Sequence, residues 1–291
     1  MIIALASAQG GVGRTTVAVN MARALGSTVR LLDCDVETPK AHLFLHGATN
    51  RTELVSISVP LVDGSRCDGC GKCVAICQHQ AIVGAEGAPR IFPEKCHGCG
   101  ECLKGCPRNA LRAVQKRIGV VETIQSGDIS LTQGRLKVGE AAAPPLIRAV
   151  KASLRTLRNG TPVLLDAPPG LSGAIRVAIG GADFVVLVTH GFDALDRAVE
   201  KVRELGVAFG VAANRVDALD TRTRTWCRQQ GVPLLLELPE DRRIADAYSR
   251  RQLIVDAQPE YRAMFRGMFE RIVNQPRVEV SQKTPLYYAR G

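Results

Sequence analysis

The 291-residue chain lacks long apolar runs: stretches such as Phe184–Val188 fall far short of the roughly 18 residues that a membrane-spanning helix needs. A bilayer-spanning protein is thereby excluded. The first residues have no basic n-region, no apolar h-region and no cleavage site, which argues against export through a signal peptide. Acidic residues are in short supply, 28 Asp+Glu against 38 Lys+Arg for a formal +10, an imbalance that invites a nucleic-acid or acidic-surface reading. Aromatic residues are scarce at 4%. With 46% apolar and 23% charged residues and a mean hydropathy of +0.03, disordered and collagenous classes are also excluded.

What is plentiful is cysteine, ten in all, eight of them between Cys67 and Cys106. In the reducing cytoplasm expected for this chain, such a density points to metal or redox chemistry rather than disulfides. The eight fall as Cys67-x2-Cys70-x2-Cys73-x3-Cys77 and Cys96-x2-Cys99-x2-Cys102-x3-Cys106-Pro107. The repeat extends beyond the cysteines, because Gly69-Cys70-Gly71 recurs as Gly98-Cys99-Gly100 and Ala81-Ile82 as Ala110-Leu111. This is an internal duplication, and its spacing is similar to that of bacterial two-cluster ferredoxins, in which the last cysteine of each run serves the other cluster. By that rule one [4Fe–4S] cluster takes Cys67, Cys70, Cys73 and Cys106, and the other takes Cys77, Cys96, Cys99 and Cys102. A pair of four-cysteine zinc sites is the alternative, but zinc needs only two CxxC halves per site and leaves the third and fourth cysteine of each run unexplained. Gln78 stands where such ferredoxins have proline, a change that touches no ligand. Cys34 and Cys227 are isolated and are expected to be buried thiols. His79 and His97, beside the runs, are read as surface histidines, and His42, His46 and His190 as unremarkable.

Outside the cysteine segment, short apolar strands alternate with helical patterns. Strands are expected at Ile2–Ala6, Val29–Leu32, Val163–Leu165, Phe184–Val188, Val207–Ala212 and Pro233–Leu236. Helices are expected at Thr15–Leu25, Pro145–Leu157, Leu195–Glu204, Arg222–Gln230, Arg242–Tyr248 and Pro259–Val273. The fold class that follows is α/β, a mostly parallel sheet with helices on both faces, interrupted by a ferredoxin-like insertion. Residues 1–62 and 118–274 are assigned to the α/β domain, 63–117 to the insertion and 275–291 to a polar tail. Ile118–Val121 and Leu136–Val138 are expected to be strands that return the chain to the sheet. The apolar stripe of the last helix is read as packing on the sheet rather than as a membrane-surface anchor.

Between the first strand and the first helix lies Ser7-Ala8-Gln9-Gly10-Gly11-Val12-Gly13-Arg14-Thr15-Thr16. A glycine-rich turn there presents backbone N–H groups and a helix N-terminus to phosphates, and the Thr15 hydroxyl is placed to ligate Mg²⁺. Asp33 and Asp35 end the second strand and Asp166 another, so three carboxylates converge on the sheet edge where ligands of such folds bind.

On the loop at 7–16, Asp33-Cys-Asp-Val-Glu-Thr-Pro39, the double cysteine run, Leu136-x-Val-Gly-Glu140, Asp166-Ala-Pro-Pro-Gly170, Asn214-Arg215 and Leu238-Pro239-Glu240-Asp241, the chain resembles a MinD/ParA-type P-loop ATPase of the deviant Walker A group, in the branch carrying a two-cluster ferredoxin insertion. The resemblance implies binding of ATP or ADP by Gln9, Gly10, Gly11, Val12, Gly13, Arg14, Thr15 and Thr16. It implies Mg²⁺ on Thr15, metal- and water-orienting roles for Asp33 and Asp35, and a Walker B role for Asp166. Gly170 becomes the switch residue at the γ-phosphate, and Asn214 with Pro239 the adenine contacts. Two loop lysines of the family are replaced, by Gln9 and Arg14. Arginine's wide planar head fits a tight phosphate cradle poorly, and an uncharged Gln9 forgoes a cationic contribution of about 10³–10⁵ in rate, so hydrolysis is expected to be slow or absent.

The function expected is a nucleotide-binding iron–sulfur protein, a homodimer or a heterodimer with a related ATPase, acting in electron transfer or metallocofactor assembly with a partner protein. Nucleic acid and membrane are not expected as partners. The alternatives are a ParA/MinD-like positioning protein that binds DNA or membrane, and a scaffold with a vestigial nucleotide site. The positioning reading draws on Arg148, Lys151, Arg155 and Arg158, spaced to share one helix face.

Overall fold

Aliphatic runs that do not alternate with polar residues become strands covered on both faces. The computed structural model bears this out; it describes residues 1–84, 87–156, 160–170, 173–192, 195–217 and 219–275. In chain order the elements are β1 (Ile2–Ala6), α1 (Arg14–Leu25), β2 (Arg30–Asp33), β3 (Ala48–Val62), α2 (Lys72–Ile76), β4 (Ile82–Val83), β5 (Arg90–Ile91), α3 (Glu101–Lys104), β6 (Leu111–Ser126) and β7 (Ile129–Leu136). There follow α4 (Ala143–Ala152), β8 (Val163–Asp166), α5 (Gly173–Ile179), β9 (Phe184–Thr189), α6 (Leu195–Glu204), β10 (Phe209–Val216), α7 (Arg222–Gln229), β11 (Leu234–Pro239), α8 (Arg242–Ser249), α9 (Ile254–Ala257) and α10 (Pro259–Val273). Among the described residues one sheet has nine strands in the order β11-β10-β9-β1-β8-β2-β7-β6-β3, parallel from β11 to β7 and antiparallel at β6 and β3.

Strand periodicity divides the core in two. Ile3 and Leu5 face one layer with α1, α9 and α10, whereas Ala4 and Ala6 face the other with α4, α5 and α6. In α10, Tyr261, Phe265, Met268 and Ile272 are buried, with Met264 and Phe269 packed at their flanks, so its stripe is core. That agrees with the packing expected and leaves no apolar face for a membrane surface. Among the described residues no helix is long and apolar enough to cross a membrane.

The antiparallel pair β3–β6 runs from Ala48↔Gln125 to Val62↔Leu111, with register shifts between Thr49 and Arg51 and between Val55 and Ser56. Only Gly119–Ser126 of β6 also pairs with β7, so residues 56–62 and 111–117 overhang the sheet as a two-stranded stem. The cysteine-rich segment leaves from the end of this stem and folds back on it: a Cβ on Gly98 would press on Ile57. Residues 111–117, placed with the insertion on sequence, are thus the first half of β6. The long strand β3 has no counterpart in the expected pattern. Its first seven residues are exposed, and an edge strand held by ladder bonds carries little hydrophobic signal.

Three further differences have local causes. Val138 is not in a strand; β7 ends at Leu136 and Val138 is 96% exposed before the turn at Gly139, where φ is +84°. Helix α5 was not expected, because glycine and β-branched residues give its sequence low intrinsic propensity, and packing against α4 supplies what propensity does not. The expected helix 145–157 ends at Ala152 and continues as a 3₁₀ turn to Thr156, with Leu157 and Arg158 outside the described residues. All but the first residue of the 275–291 tail also lies outside them.

Of the expected basic array, Arg148 and Arg155 are exposed and Arg158 lies outside the described residues, but Lys151 turns inward. Lys151 is buried, and its ammonium donates to the carbonyl oxygens of Val177, Ala178 and Gly180 at 3.0, 2.7 and 2.6 Å, closing the C-terminal end of α5. Lys151→Met is expected to leave these carbonyls without the ammonium and lower the unfolding free energy by about 2–4 kcal/mol. Urea denaturation measures it, and a loss below about 0.5 kcal/mol would contradict the assignment.

Candidate functional site

At the carboxyl edge of the sheet the chain leaves β1, turns through residues 7–13 and enters α1. Gly11 and Gly13 adopt left-handed φ of +79° and +91°, and a Cβ on Gly13 would collide with the Asn214 amide. Asn214, at the end of β10, donates to the Val12 carbonyl at 2.8 Å and so clamps the loop from below. The Gly170 N–H donates to the Ser7 carbonyl at 3.1 Å, tying the segment after β8 to the same loop. Gln9, Gly10 and Gly11 are exposed at its crest, Thr15 and Thr16 are half-buried at the helix start, and Pro239 ends β11 on the same edge.

Arg14 is 6% exposed. Its Nε donates to Asp166 Oδ1 at 2.6 Å, Nη2 to Asp35 Oδ2 at 3.0 Å and Nη1 to Ser7 Oγ at 3.1 Å. The Thr15 hydroxyl donates to Asp166 Oδ2 at 2.6 Å. The side chain that replaces a family lysine is therefore folded beneath the loop, onto the carboxylates. Asp33, cross-strand from Asp166, is fully buried and accepts the N–H groups of Asp35, Lys40 and Ala41, each at 3.0 Å. Burial and the Asp166 charge push its carboxyl up to about 8 despite the lowering effect of those N–H groups. Burial likewise raises Asp35, with Arg14 opposing. Three carboxyls against one guanidinium leave an excess of negative charge. The arrangement can present loop N–H groups to phosphates and a hydroxyl with a carboxylate to a divalent cation.

The cysteine segment forms a second pair of sites. Left-handed glycines recur at duplicated positions, Gly69 and Gly71 before α2 and Gly98 and Gly100 before α3. Cys67, Cys70, Cys73 and Cys106 line one recess, and Cys77, Cys96, Cys99 and Cys102 line another. Backbone N–H groups point at sulfur: Ala81 to Cys77, Ala110 to Cys106 and Gly98 to Cys96, at 3.3, 3.3 and 3.4 Å. Burial raises the thiols of Cys73, Cys96 and Cys102, the last to about 11, and neighbours within the same recess add to the shift. Among the described residues no three His, Cys, Asp or Glu side chains are gathered as a single metal ion requires.

His79 and His97 stack with centroids 3.7 Å apart at the rim of the second recess. His97 is half-buried, and burial first, then the charges of His79 and Arg148, lowers its pKa. Cys34 and Cys227 are buried, as expected, and burial raises both thiols, Cys227 to about 11. Sequence reasoning assigned no role to Ser7, which receives the third arm of Arg14. The signal for it was an arginine facing three strand-end aspartates.

A family model described as the CobQ/CobB/MinD/ParA nucleotide binding domain matches residues 3–254. The chain is 28% identical over 192 residues to the uncharacterized protein MJ0578 of Methanocaldococcus jannaschii, covering 65% of this chain and 67% of that one. It is 23% identical over 258 residues to the uncharacterized protein MJ0579 of the same organism, covering 86% and 90%. The septum site-determining protein MinD of Pyrococcus horikoshii, solved in complex with Mg-ADP, superposes with a TM-score of 0.59 at 19% identity, covering 94% and 96%. At that identity the likeness is one of fold.

Arg14 is the only cation hydrogen-bonded to Asp35 and Asp166 among the described residues. Arg14→Met is expected to cost about 3–5 kcal/mol of stability near neutral pH, the usual result of stranding a buried charge. Asp35 is already raised by burial and would rise further without Arg14, so its ionised form burdens the fold above that pKa and not below it. The deficit should therefore be largest at about pH 8 and shrink towards pH 5 in denaturation curves; a deficit independent of pH would contradict the ion-pair account.

Proposed function

The chain belongs to the CobQ/CobB/MinD/ParA nucleotide-binding domain family, and from that premise we propose that it is a nucleotide-binding iron–sulfur protein whose phosphate-loop state is coupled to a two-[4Fe–4S] ferredoxin module. The observation that carries this reading is the partition of the eight cysteines. Each recess takes three from one run and the last from the other, the crossed pattern of two-cluster ferredoxins. A donor set of sulfur alone and N–H groups aimed at sulfur both suit a cluster. Cys67, Cys70, Cys73 and Cys106 would hold one, and Cys77, Cys96, Cys99 and Cys102 the other. When bound, such clusters supply one-electron transfer. The module then spans residues 63–110 with the β3–β6 stem as its mount, and a reducing cytoplasm is the compartment that fits.

At the phosphate loop, Gly10 to Thr16 would receive the phosphates of ATP or ADP, and Thr15 with Asp166 would hold Mg²⁺. Gly170, tied to Ser7, would report the γ-phosphate. Asp33 and Asp35 would order the surrounding water, while Asn214 shapes the loop and with Pro239 borders the adenine. Arg14 is spent on carboxylates and Gln9 is neutral, so cations for charge developing on the phosphate are lacking. We assign slow intrinsic hydrolysis, in a homodimer or a heterodimer with a related ATPase, and a redox or metallocofactor-assembly protein as the partner. A positioning role on DNA finds less support, because Lys151 of the supposed stripe faces inward.

Purified without oxygen, the chain should carry about eight iron and eight sulfide per polypeptide, and Cys99→Ala about half of each. Zinc in place of iron, or no metal in anaerobically reconstituted protein, would overturn the iron–sulfur reading. Arg14→Lys, which restores a compact cation able to reach phosphate, should raise ATP turnover by about tenfold or more. Turnover unchanged or lowered at intact nucleotide affinity would mean that Arg14 is not what limits hydrolysis.

A further inference from the structure

The two cysteine recesses differ in what surrounds them. The first lies at the outer end of the stem, where Lys72 and Arg108 at its rim are exposed and Arg108 is paired with Asp68. Solvent screens such charges. The second lies against the α/β body: Ser58 and Pro60 of β3 line it, and Ala81 and Cys96 join the core layer that contains Ile57. Beside this second recess is an ion pair withdrawn from solvent, Lys116 Nζ to Glu140 Oε2 at 2.6 Å, with side chains 21% and 7% exposed. Lys116 stands on β6 directly across from Ile57, the residue on which Gly98 rests between Cys96 and Cys99.

Glu140 sits on a strap with two anchored ends. At one end the Leu136 N–H donates to the Val36 carbonyl at 2.8 Å, and Val36 adjoins Asp35, which Arg14 holds. At the other, the Ala141 N–H donates to the Glu94 carbonyl at 3.2 Å, two residues before Cys96. Between them Lys137 N–H bonds Ile118 O at 2.8 Å and Glu140 N–H bonds Lys137 O at 3.1 Å. A contiguous run of hydrogen bonds and one ion pair thus joins the loop after β2 to the body-side quartet, and no comparable run leads to the outer one among the described bonds.

We propose that the Lys116–Glu140 pair is a positioning device that sets the reduction potential of the cluster held by Cys77, Cys96, Cys99 and Cys102, and that the strap passes the state of the Asp35 loop to it. The inference rests on the iron–sulfur reading above. A cation near a cluster favours the reduced form and a carboxylate opposes it, because each reduction adds a negative charge. Removing the two partners one at a time must therefore shift that cluster in opposite directions.

The test is a redox titration of the anaerobically purified full-length chain, followed by EPR and visible absorption. Lys116→Met should lower the midpoint of one cluster, Glu140→Gln should raise the same one, and the other cluster should stay at its wild-type value. Adding MgADP should shift the responsive cluster in wild type and not in Glu140→Gln. Lys116→Arg keeps the charge and should retain the wild-type midpoint, which guards against reading a folding defect as an electrostatic effect. Shifts of one sign in both variants, equal shifts in both clusters, or a Lys116→Arg variant that behaves as Lys116→Met would overturn the inference while leaving the iron–sulfur reading intact. Protein that binds no cluster iron would overturn both.

Discussion

Neighbouring strands of a parallel sheet end on the same edge, and here two of those ends are aspartates with a third just beyond. Asp33 and Asp166 face each other in register and Asp35 follows two residues on, all in a layer that water scarcely reaches. Bare carboxylates at that spacing repel and lose hydration, a cost that grows as the local dielectric falls. Arg14 makes the concentration tolerable by bridging two of them and the Ser7 hydroxyl, while backbone N–H groups serve the third. The glycine loop is draped over this arrangement, so the phosphate-binding surface inherits its shape from a charge balance beneath it. The same balance limits chemistry, because a guanidinium held by two carboxylates is a poor donor to a third anion.

The cysteine segment meets a similar problem by different means. Eight cysteines are divided between two recesses, one at the outer end of the stem and one against the body. The overhanging stem makes this insertion compatible with an uninterrupted sheet. Because β3 and β6 pair antiparallel along their whole length, the chain leaves the sheet and returns at adjacent positions, and everything from 63 to 110 is accommodated without altering the order of the parallel strands. Glycines in left-handed conformation at Gly69, Gly71, Gly98 and Gly100 flank Cys70 and Cys99, and each run's first three cysteines line one recess.

What was legible in the sequence was what repeats or what is buried. The double cysteine run, the loop between β1 and α1, the strand-end aspartates and the core face of α10 each show in spacing or periodicity, and α10 packs on that face. What was illegible depended on tertiary partners. The first half of β3 is polar and exposed, so nothing in Thr49 to Glu53 announces a strand until β6 lies beside it. Lys151 reads as one charge in a stripe until the end of α5 supplies three carbonyls. The fate of Arg14 was undetermined for the same reason, since a motif names the residue in the loop and not which way its side chain turns. That direction was set by strands more than twenty and one hundred and fifty residues away.

The positive balance of the chain takes its meaning from these placements. Residues 63–117 hold nine Lys+Arg and five Asp+Glu, a surplus that on composition alone suggests a polyanion-binding face. In the fold those cations do not form one face. Lys104 and Arg108 are tied to Glu101 and Asp68, Arg90 and Lys95 lie over the Phe92 ring, Lys72 borders the outer recess and Lys116 is drawn in beside the inner one. Charges paired or dispersed in this way spread the surplus over the segment. A nucleic-acid interface would need them aligned at phosphate spacing and free to release counterions.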